Sequence, residues 1–365
     1  MTDGDLATRA FERILIIKPS SPGDIIHALP VLEGLHRRYP AARIAWLVAS
    51  PFANLLERDK RIDEIILFDR KRFGRLGRSL SVTGEFWEFV KSLRDREFDL
   101  VIDLQGLFRS GFLSMASGAK VRIGFADARE MSPLFYTDKI PASPSREIHA
   151  ADRNYRLAAM LGFGDVPMDF SVELDDDDRA AAAKLLAESG IDASSPFVML
   201  VPATRWETKC WPADRYGMLA AMMHRERGIR SVLVGGPADV QLGQSAVNAS
   251  QGAAVNLCGR TTLRQLAALV ERAAIVVTAD STPMHLAAAL DRPLVALFGP
   301  TSPERTGPYG RAQDVVRIDL ECSPCYLKKL SQCPHEHACM QRLDVNQIGG
   351  IVRDKLSATL ADKTG

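Results

Sequence analysis

The sequence predicts an α/β protein built from two doubly wound parallel sheets, and three observations carry that expectation. Strand-like apolar runs alternate with helical patterns along nearly the whole chain, the pattern of mostly parallel sheets with helices on both faces. The alternation breaks once, over Phe163 to Ser195, where turn-forming and acidic residues replace it. Each strand run ends in a polar or glycine-bearing loop, and open parallel sheets bind ligands at that carboxyl edge. Two such domains facing one another would set these loops around a cleft.

In order, Ile14 to Ile17, Arg43 to Val48, Glu64 to Phe68 and Leu100 to Ile102 read as strands of the first domain. After the break at Gly164 and Pro167, the acidic run Asp175 to Asp178 reads as the dipole-matched start of a helix over Arg179 to Ser189 rather than as a metal site. Gly190 to Pro196 forms a turn-rich connection, and a second series follows at Phe197 to Val201, Ser231 to Gly235, Ile275 to Thr278 and Leu294 to Phe298. Val345 to Asp362 reads as a terminal helix carrying Gly349 and Gly350 near its start. The expected division is therefore 1–170 and 196–345 for the two domains, 171–195 for an inter-domain segment, and 346–365 for a C-terminal helix.

Composition narrows the function classes. A 365-residue chain that is 46% hydrophobic and 25% charged is ordinary globular material, which excludes disordered and collagen-like classes. With 46 Lys and Arg against 45 Asp and Glu the net charge is +1, so there is no global basic field for nucleic acid and an anionic partner must be met locally. The polar start MTDGDLATRAFER has neither a signal-peptide core nor a spanning segment, and a cytoplasmic protein is expected. Four of the six cysteines crowd into one C-terminal segment while Cys210 and Cys258 lie far off, unlike a secreted disulfide framework.

The stretch Val276 to Pro300 is the most informative. A β-branched run breaks into Thr278 to Asp280 and a helix starts at once, with Ser281 or Thr282 as N-cap and Pro283 at the first helical position. The N–H groups of Met284 and His285 would then lack intrahelical acceptors and offer an anion site, with Asp280 and His285 beside it. An ordinary strand-to-helix turn would have the same sequence. In the first half, the strand Ile14 to Ile17 runs into KPSSPGDIIHALP, where Gly23 gives a tight turn and Asp24 stands at a helix mouth as a general-base candidate or as that helix's N-cap. Lys18 and His27 are weaker candidates, for phosphate contact and for orienting Asp24.

Four further segments carry candidate chemistry, and three of them have a plain reading beside it. VPATRWETKCWP places Thr204, Arg205 and Lys209 on a loop that would suit a diphosphate or be a charged surface loop, and the chain lacks a convincing DxD motif for a divalent metal. LVGGPADVQ offers two glycines for close backbone approach, with Asp239 and Gln241 near a ribose. Arg70 to Arg78 holds five cations with Phe73 and Leu76 between them, a combination for an anionic lipid headgroup or a phosphorylated glycan at a membrane surface, or for a solvated loop. Cys322, Cys325, Cys333 and Cys339, with His335 and His337 nearby, would close a tetrahedral zinc or iron site, pack as reduced thiols, or form a redox-sensitive pair.

KPSSPGDIIHALP, DLQGL at Asp103 to Leu107, ATRWETKCWP and DSTPMHLAAALDRPLVALFGPTSP, in that order, resemble the four motifs of glycosyltransferase family 9, the bacterial ADP-heptose:lipopolysaccharide heptosyltransferases. The resemblance covers nearly the whole chain. It implies a GT-B fold, inverting transfer with no cofactor or catalytic metal, ADP-heptose as donor and Kdo-lipid A or a heptosylated core as acceptor. It further implies Asp24 as general base, Lys209 and Thr204 at the diphosphate, and Asp280, Ser281, Thr282 and His285 as the nucleotide-sugar cradle, with Arg205 on the donor side and Asp239 at the ribose. Ser21, Gly23, Gln105, Arg70, Arg72 and Arg75 are the expected acceptor contacts, with peripheral attachment at the inner face of the cytoplasmic membrane. Pro22 stands where the family often has Met or Leu, and Thr282 where it commonly has Gly, which puts a side chain near the diphosphate. Arg129 to Gly162 looks like the first heptosyltransferase, whereas the Cys-rich tail looks like the second and like metal-bearing protein heptosyltransferases. Another nucleotide sugar, a protein acceptor, or a non-catalytic nucleotide- and metal-binding GT-B protein are the alternatives.

Overall fold

A computed structural model describes residues 3–361 except 144, 146 and 193; the last four residues of the expected terminal helix, 362–365, lie outside the described residues. The chain forms two compact units, Met1–Ser171 and Val172–Gly365. In the first, six strands make one parallel sheet in the order β3-β2-β1-β4-β5-β6: β1 (Arg13–Ile17), β2 (Arg43–Ala49), β3 (Glu64–Phe68), β4 (Leu100–Asp103), β5 (Val121–Phe125) and β6 (Asp138–Ile140). The chain starts in the middle, winds out to β3, then returns to lay β4 against the other side of β1, with Ile17 opposite Asp103. That reversal opens a crevice at the carboxyl ends of β1 and β4, where an open α/β sheet receives its ligand.

The second unit repeats the winding with β7 (Phe197–Val201), β8 (Arg230–Leu233), β9 (Ala254–Asn256), β10 (Ile275–Ala279), β11 (Leu294–Phe298) and β12 (Val315–Arg317) in the order β12-β11-β10-β7-β8-β9. Its reversal falls between β7 and β10, with Val201 opposite Thr278. Every residue of β7, β10 and β11 is buried, which is why these segments read as unbroken apolar runs rather than alternating ones. Helices cover both faces. One core of the second unit gathers Val198, Leu200, Tyr216, Leu219, Val277 and Leu297 with Ile348 and Val352 of the terminal helix Val345–Ala361. Among the described residues no helix is long and apolar enough to cross a membrane.

The segment expected between the domains contributes the helix Asp176–Glu188, whose N-cap is Asp175 and whose Asp178 forms a buried ion pair with Arg264 of the helix Leu263–Arg272. Burial works against the charge of Asp178, yet hydrogen bonds from Arg264 and from the backbone at Asp175 outweigh it and hold the carboxyl below its usual range. A depressed folded-state value means stabilisation that is complete above the unfolded pKa, about 3.9, and is lost as pH falls through the folded one. Asp178→Ala leaves Arg264 buried without its partner and is expected to cost about 3 kcal/mol at neutral pH. In urea unfolding the gap from the parent should close in acid; an equal loss at every pH would contradict this assignment.

Candidate active site

In the first unit, β1 ends at Ile17 and the chain turns into the helix Pro22–Ile26. Asp24 Oδ2 accepts from the Ser21 N–H at 2.9 Å and from Ser21 Oγ at 2.7 Å. The N-cap is therefore Ser21, and Asp24 is the third helical residue reaching back to it, as in a capping box. Two donors on one oxygen fix the orientation of a half-buried carboxylate at the crevice of the sheet, with buried Gly23 next to it. Lys18, expected at a phosphate, is buried and donates instead to the Leu104 carbonyl at 2.8 Å, tying the end of β1 to the loop after β4. Burial pushes its pKa down, opposed by the charges of Asp24 and Asp103. His27 is buried with its ring edge-on to His149 at 5.0 Å.

At the end of β4, Asp103 Oδ1 accepts from the N–H groups of Gln105 (2.8 Å) and Gly106 (3.1 Å), and Oδ2 from the Tyr136 hydroxyl (2.7 Å). Burial raises the pKa of Asp103 despite these donors. This carboxyl builds the turn that presents Gln105, whose Oε1 is buried with no hydrogen-bond partner among the described residues. A buried carbonyl oxygen left in that state is costly unless a ligand or water completes it. Gly106, at φ +65°, supplies the left-handed step that closes the turn.

The cationic stretch is a short helix, Arg70–Phe73, capped by Asp69, followed by turns, rather than the open loop expected. Arg72 is engaged by Glu85, with Nη2 2.5 Å from Oε1, which withdraws it from the expected acceptor contacts. Arg70, Lys71, Arg75 and Arg78 are exposed and make no side-chain ion pair with any described residue.

The second unit holds the denser constellation. After β7 the chain passes through Thr204 and Arg205 to the 3-10 turn Glu207–Lys209. Lys209 Nζ lies 2.7 Å from Asp280 Oδ2 and 4.5 Å from the centre of the Trp206 ring. The same oxygen of Asp280 accepts from Thr301 Oγ1 at 2.8 Å and Thr306 Oγ1 at 3.1 Å. Lys209 follows β7 and Asp280 follows β10, so the pair spans the reversal of the sheet. Thr204 is placed nearby, but its hydroxyl donates to the Trp206 carbonyl at 2.8 Å and stabilises its own turn; Arg205 is exposed. Thr301 and Thr306 are not marked by the sequence, because only the fold brings the residues after β11 onto Asp280; Trp206 stands three residues before Lys209, and only the turn Glu207–Lys209 folds the lysine over its ring.

Beside the pair, the helix Thr282–Ala289 begins with Ser281 as N-cap and Pro283 at the second helical position, one residue later than expected. The Met284 N–H is not an orphan: it donates to the Ser281 carbonyl at 3.1 Å. The amides at the mouth are those of Ser281 and Thr282, the first in a helix with no intrahelical acceptor. Ser281 Oγ pairs with Thr278 Oγ1 at 2.8 Å, His285 is buried, and Thr282 is half-buried at the first helical position. Asp239, expected at a ribose, folds back so that Oδ2 accepts from the Gly236 N–H at 2.7 Å. A Cβ on Gly235 would lie 2.9 Å from the Asp239 Cβ, which is why that turn needs glycine.

Cys322, Cys325, Cys333 and Cys339 line one small cavity of about 120 Å³ together with His335. All six cysteines of the chain are free thiols. Burial raises the Cys339 thiol to about 11, and the other three add to the shift. The four thiols thus converge, although no three His, Cys, Asp or Glu side chains among the described residues are arranged to hold a metal. The segment is laced to the Lys209 loop: His337 Nε2 donates to the Thr208 carbonyl at 2.6 Å, the Thr208 hydroxyl to the Leu327 carbonyl at 2.5 Å, and the Leu330 N–H to Glu207 Oε2 at 3.1 Å.

Residues 86–336 match the sequence profile of "Glycosyltransferase family 9 (heptosyltransferase)". The chain is 32% identical to lipopolysaccharide heptosyltransferase 1 of Pseudomonas aeruginosa over 89% of each sequence. Its fold superposes on the structure of the Escherichia coli ADP-heptose lipopolysaccharide heptosyltransferase II with a TM-score of 0.76 at 25% identity, covering 95% of this chain and 99% of the other. Escherichia coli heptosyltransferase WaaC with ADP-2-deoxy-2-fluoro heptose gives 0.72 at 25% identity over 94% and 99%. The two doubly wound units are thus a GT-B fold.

Proposed function

This chain belongs to glycosyltransferase family 9, and from that premise we propose that it moves heptose from ADP-heptose to the inner core of lipopolysaccharide, as a heptosyltransferase of the first or second type. The observation that carries the reading is the Lys209–Asp280 pair across the reversal of the second sheet. Beside it stands a helix mouth, and Asp24 occupies the equivalent edge of the first sheet. The reaction is one displacement. The acceptor oxygen bonds to the anomeric carbon as the bond to the diphosphate breaks, its proton passes to the Asp24 carboxylate, and ADP leaves with the bonding pair. Lys209 and the amides of Ser281 and Thr282 neutralise the charge that develops on the departing diphosphate. Asp280, anchored by Thr301 and Thr306, holds Lys209 ready for that role. Gln105, with its unmatched oxygen, and the exposed Arg70 and Arg75 meet the acceptor sugars and their anionic groups at the inner face of the cytoplasmic membrane.

The Cys-rich segment supports a second element of the proposal, a structural zinc or iron held by Cys322, Cys325, Cys333 and Cys339, favoured by the convergence of four thiols on one cavity. Such an ion would tighten the segment that ties down the Lys209 loop. Metal analysis of protein purified without chelator should find one ion per chain, lost on Cys325→Ser; metal-free protein with unchanged thermal stability would end this part of the reading. The transfer itself is tested by mass spectrometry of core oligosaccharide from a strain lacking the protein. Truncation at the inner-core heptoses is expected, whereas a complete core would reject the assignment.

A further inference from the structure

The first unit carries an apolar face that its own fold does not use. Leu80 and Trp87 are 94% and 55% exposed on the helix Leu80–Arg94, and Phe108 and Met115 are 46% and 42% exposed on the helix Phe108–Ala116. Each pair is separated by seven residues, which returns a side chain to nearly the same face of a helix. Between Leu80 and Trp87 stands Gly84, with no atom within 4 Å of the position its Cβ would take, so the stripe is flat. The two helices are joined by stacking of Phe86 on Phe112, with ring centres 6.1 Å apart, and Phe108 packs edge-on against Phe135 beside the 76% exposed Leu134. The helix starts carrying Leu80 and Phe108 follow β3 and β4, at the same carboxyl edge as Asp24. Just before Leu80 come the four cations of 70–78 that make no ion pair among the described residues. Glu88 is an exposed counter-charge on the first helix, offset by Lys91 and Arg94, while Glu85 is neutralised by Arg72.

We infer that this face is a lipid-docking surface, in which the cations gather anionic headgroups while Leu80, Trp87 and Phe108 enter the interfacial layer of the bilayer. Charge complementarity selects the occupant: a cationic flank beside an aromatic and aliphatic stripe is the composition of an interfacial anchor. Trp at that level is typical of such surfaces, because the indole is apolar in body and polar at its N–H. The inference deepens the proposed transfer to a lipid-linked acceptor, resting on that reading for its purpose, and it differs from a purely electrostatic contact in one measurable respect. Headgroup attraction is screened by salt, whereas buried apolar area is not.

The test uses the full chain with vesicles of phosphatidylethanolamine and phosphatidylglycerol. Sedimentation should detect binding that weakens in high salt without vanishing, and brominated acyl chains should quench a fluorescence component that Trp87→Phe removes. The double variant Leu80→Ser, Trp87→Ser, altered only at exposed positions, should lose about tenfold or more in partitioning and release fully in salt. Binding by the double variant equal to that of the parent, or no response of Trp87 at saturating lipid, would overturn the inference. A dimer in solution dissolved by the double variant would replace lipid with a second copy as the occupant. Transfer to a water-soluble acceptor without acyl chains separates the two readings. The double variant should keep that activity, while absence of transfer by the parent on every acceptor would defeat the transferase reading and leave the vesicle result standing.

Discussion

Asp24→Asn is expected to lower kcat by roughly 10²–10⁴-fold, the usual contribution of a positioned general base, with little change in donor KM. The substitution is nearly isosteric. The Asn side-chain oxygen can still accept from the Ser21 N–H and hydroxyl that now hold Asp24 Oδ2, so the turn after β1 survives and only proton acceptance is lost. Ser21→Ala removes one of those donors, leaves the carboxylate, and should have a smaller effect on kcat with an unchanged fold. Steady-state kinetics and thermal unfolding of the two variants separate a chemical role from a capping role. If Asn at 24 turned over normally while unfolding earlier, Asp24 would be a cap residue and no more.

Lys209→Ala should cost about 10²–10³-fold in kcat, the scale seen when a group stabilising transition-state charge is removed. The leaving diphosphate gains charge as its bond to the sugar breaks, and a fixed cation in a half-buried setting acts on that charge with little solvent screening. Lys209→Ala also leaves the buried Asp280 with only the hydroxyls of Thr301 and Thr306 on Oδ2, so some thermal destabilisation accompanies the kinetic loss. Lys209→Arg restores a cation without restoring the point-charge geometry and should recover stability more fully than turnover. Normal turnover by both Lys209→Ala and Asp24→Asn would show the mechanism to be wrong.

The centres of both sheets are legible in the sequence, while of their margins only β3 is. The segments β1, β2, β7, β10 and β11 are dense in β-branched or aliphatic residues because each lies between two strands and is covered by helices, so burial itself writes the signal; the edge strand β3 is legible through Ile65, Ile66 and Leu67 although Glu64 and Leu67 are exposed. The strands β5, β6, β9 and β12 escape notice for identifiable reasons. Val121–Phe125 is interrupted by Arg122 and Gly124, and the other three are three-residue pieces at or near sheet edges. Within the site, the strand-to-helix turns that carry Asp24 and Asp280 can be read from local spacing, since capping chemistry acts over three or four residues. Thr301 and Thr306 cannot, because their partner Asp280 lies 21 and 26 residues earlier in the chain. The same limit hid the link from His337 to Thr208 across 129 residues. Arg72 shows the opposite failure: the sequence marks it as one cation among five, and Glu85 on the next helix removes it from that set.

Heptose transfer is measured by incubating the purified protein with ADP-heptose and Kdo-lipid A or a heptosylated core acceptor, following ADP release and product mass together. One heptose is expected per ADP released, in the presence of a chelator, with both signals lost in Asp24→Asn. Turnover of a UDP or GDP sugar with no use of ADP-heptose, or ADP-heptose binding without transfer to any core acceptor, would contradict the proposed transfer.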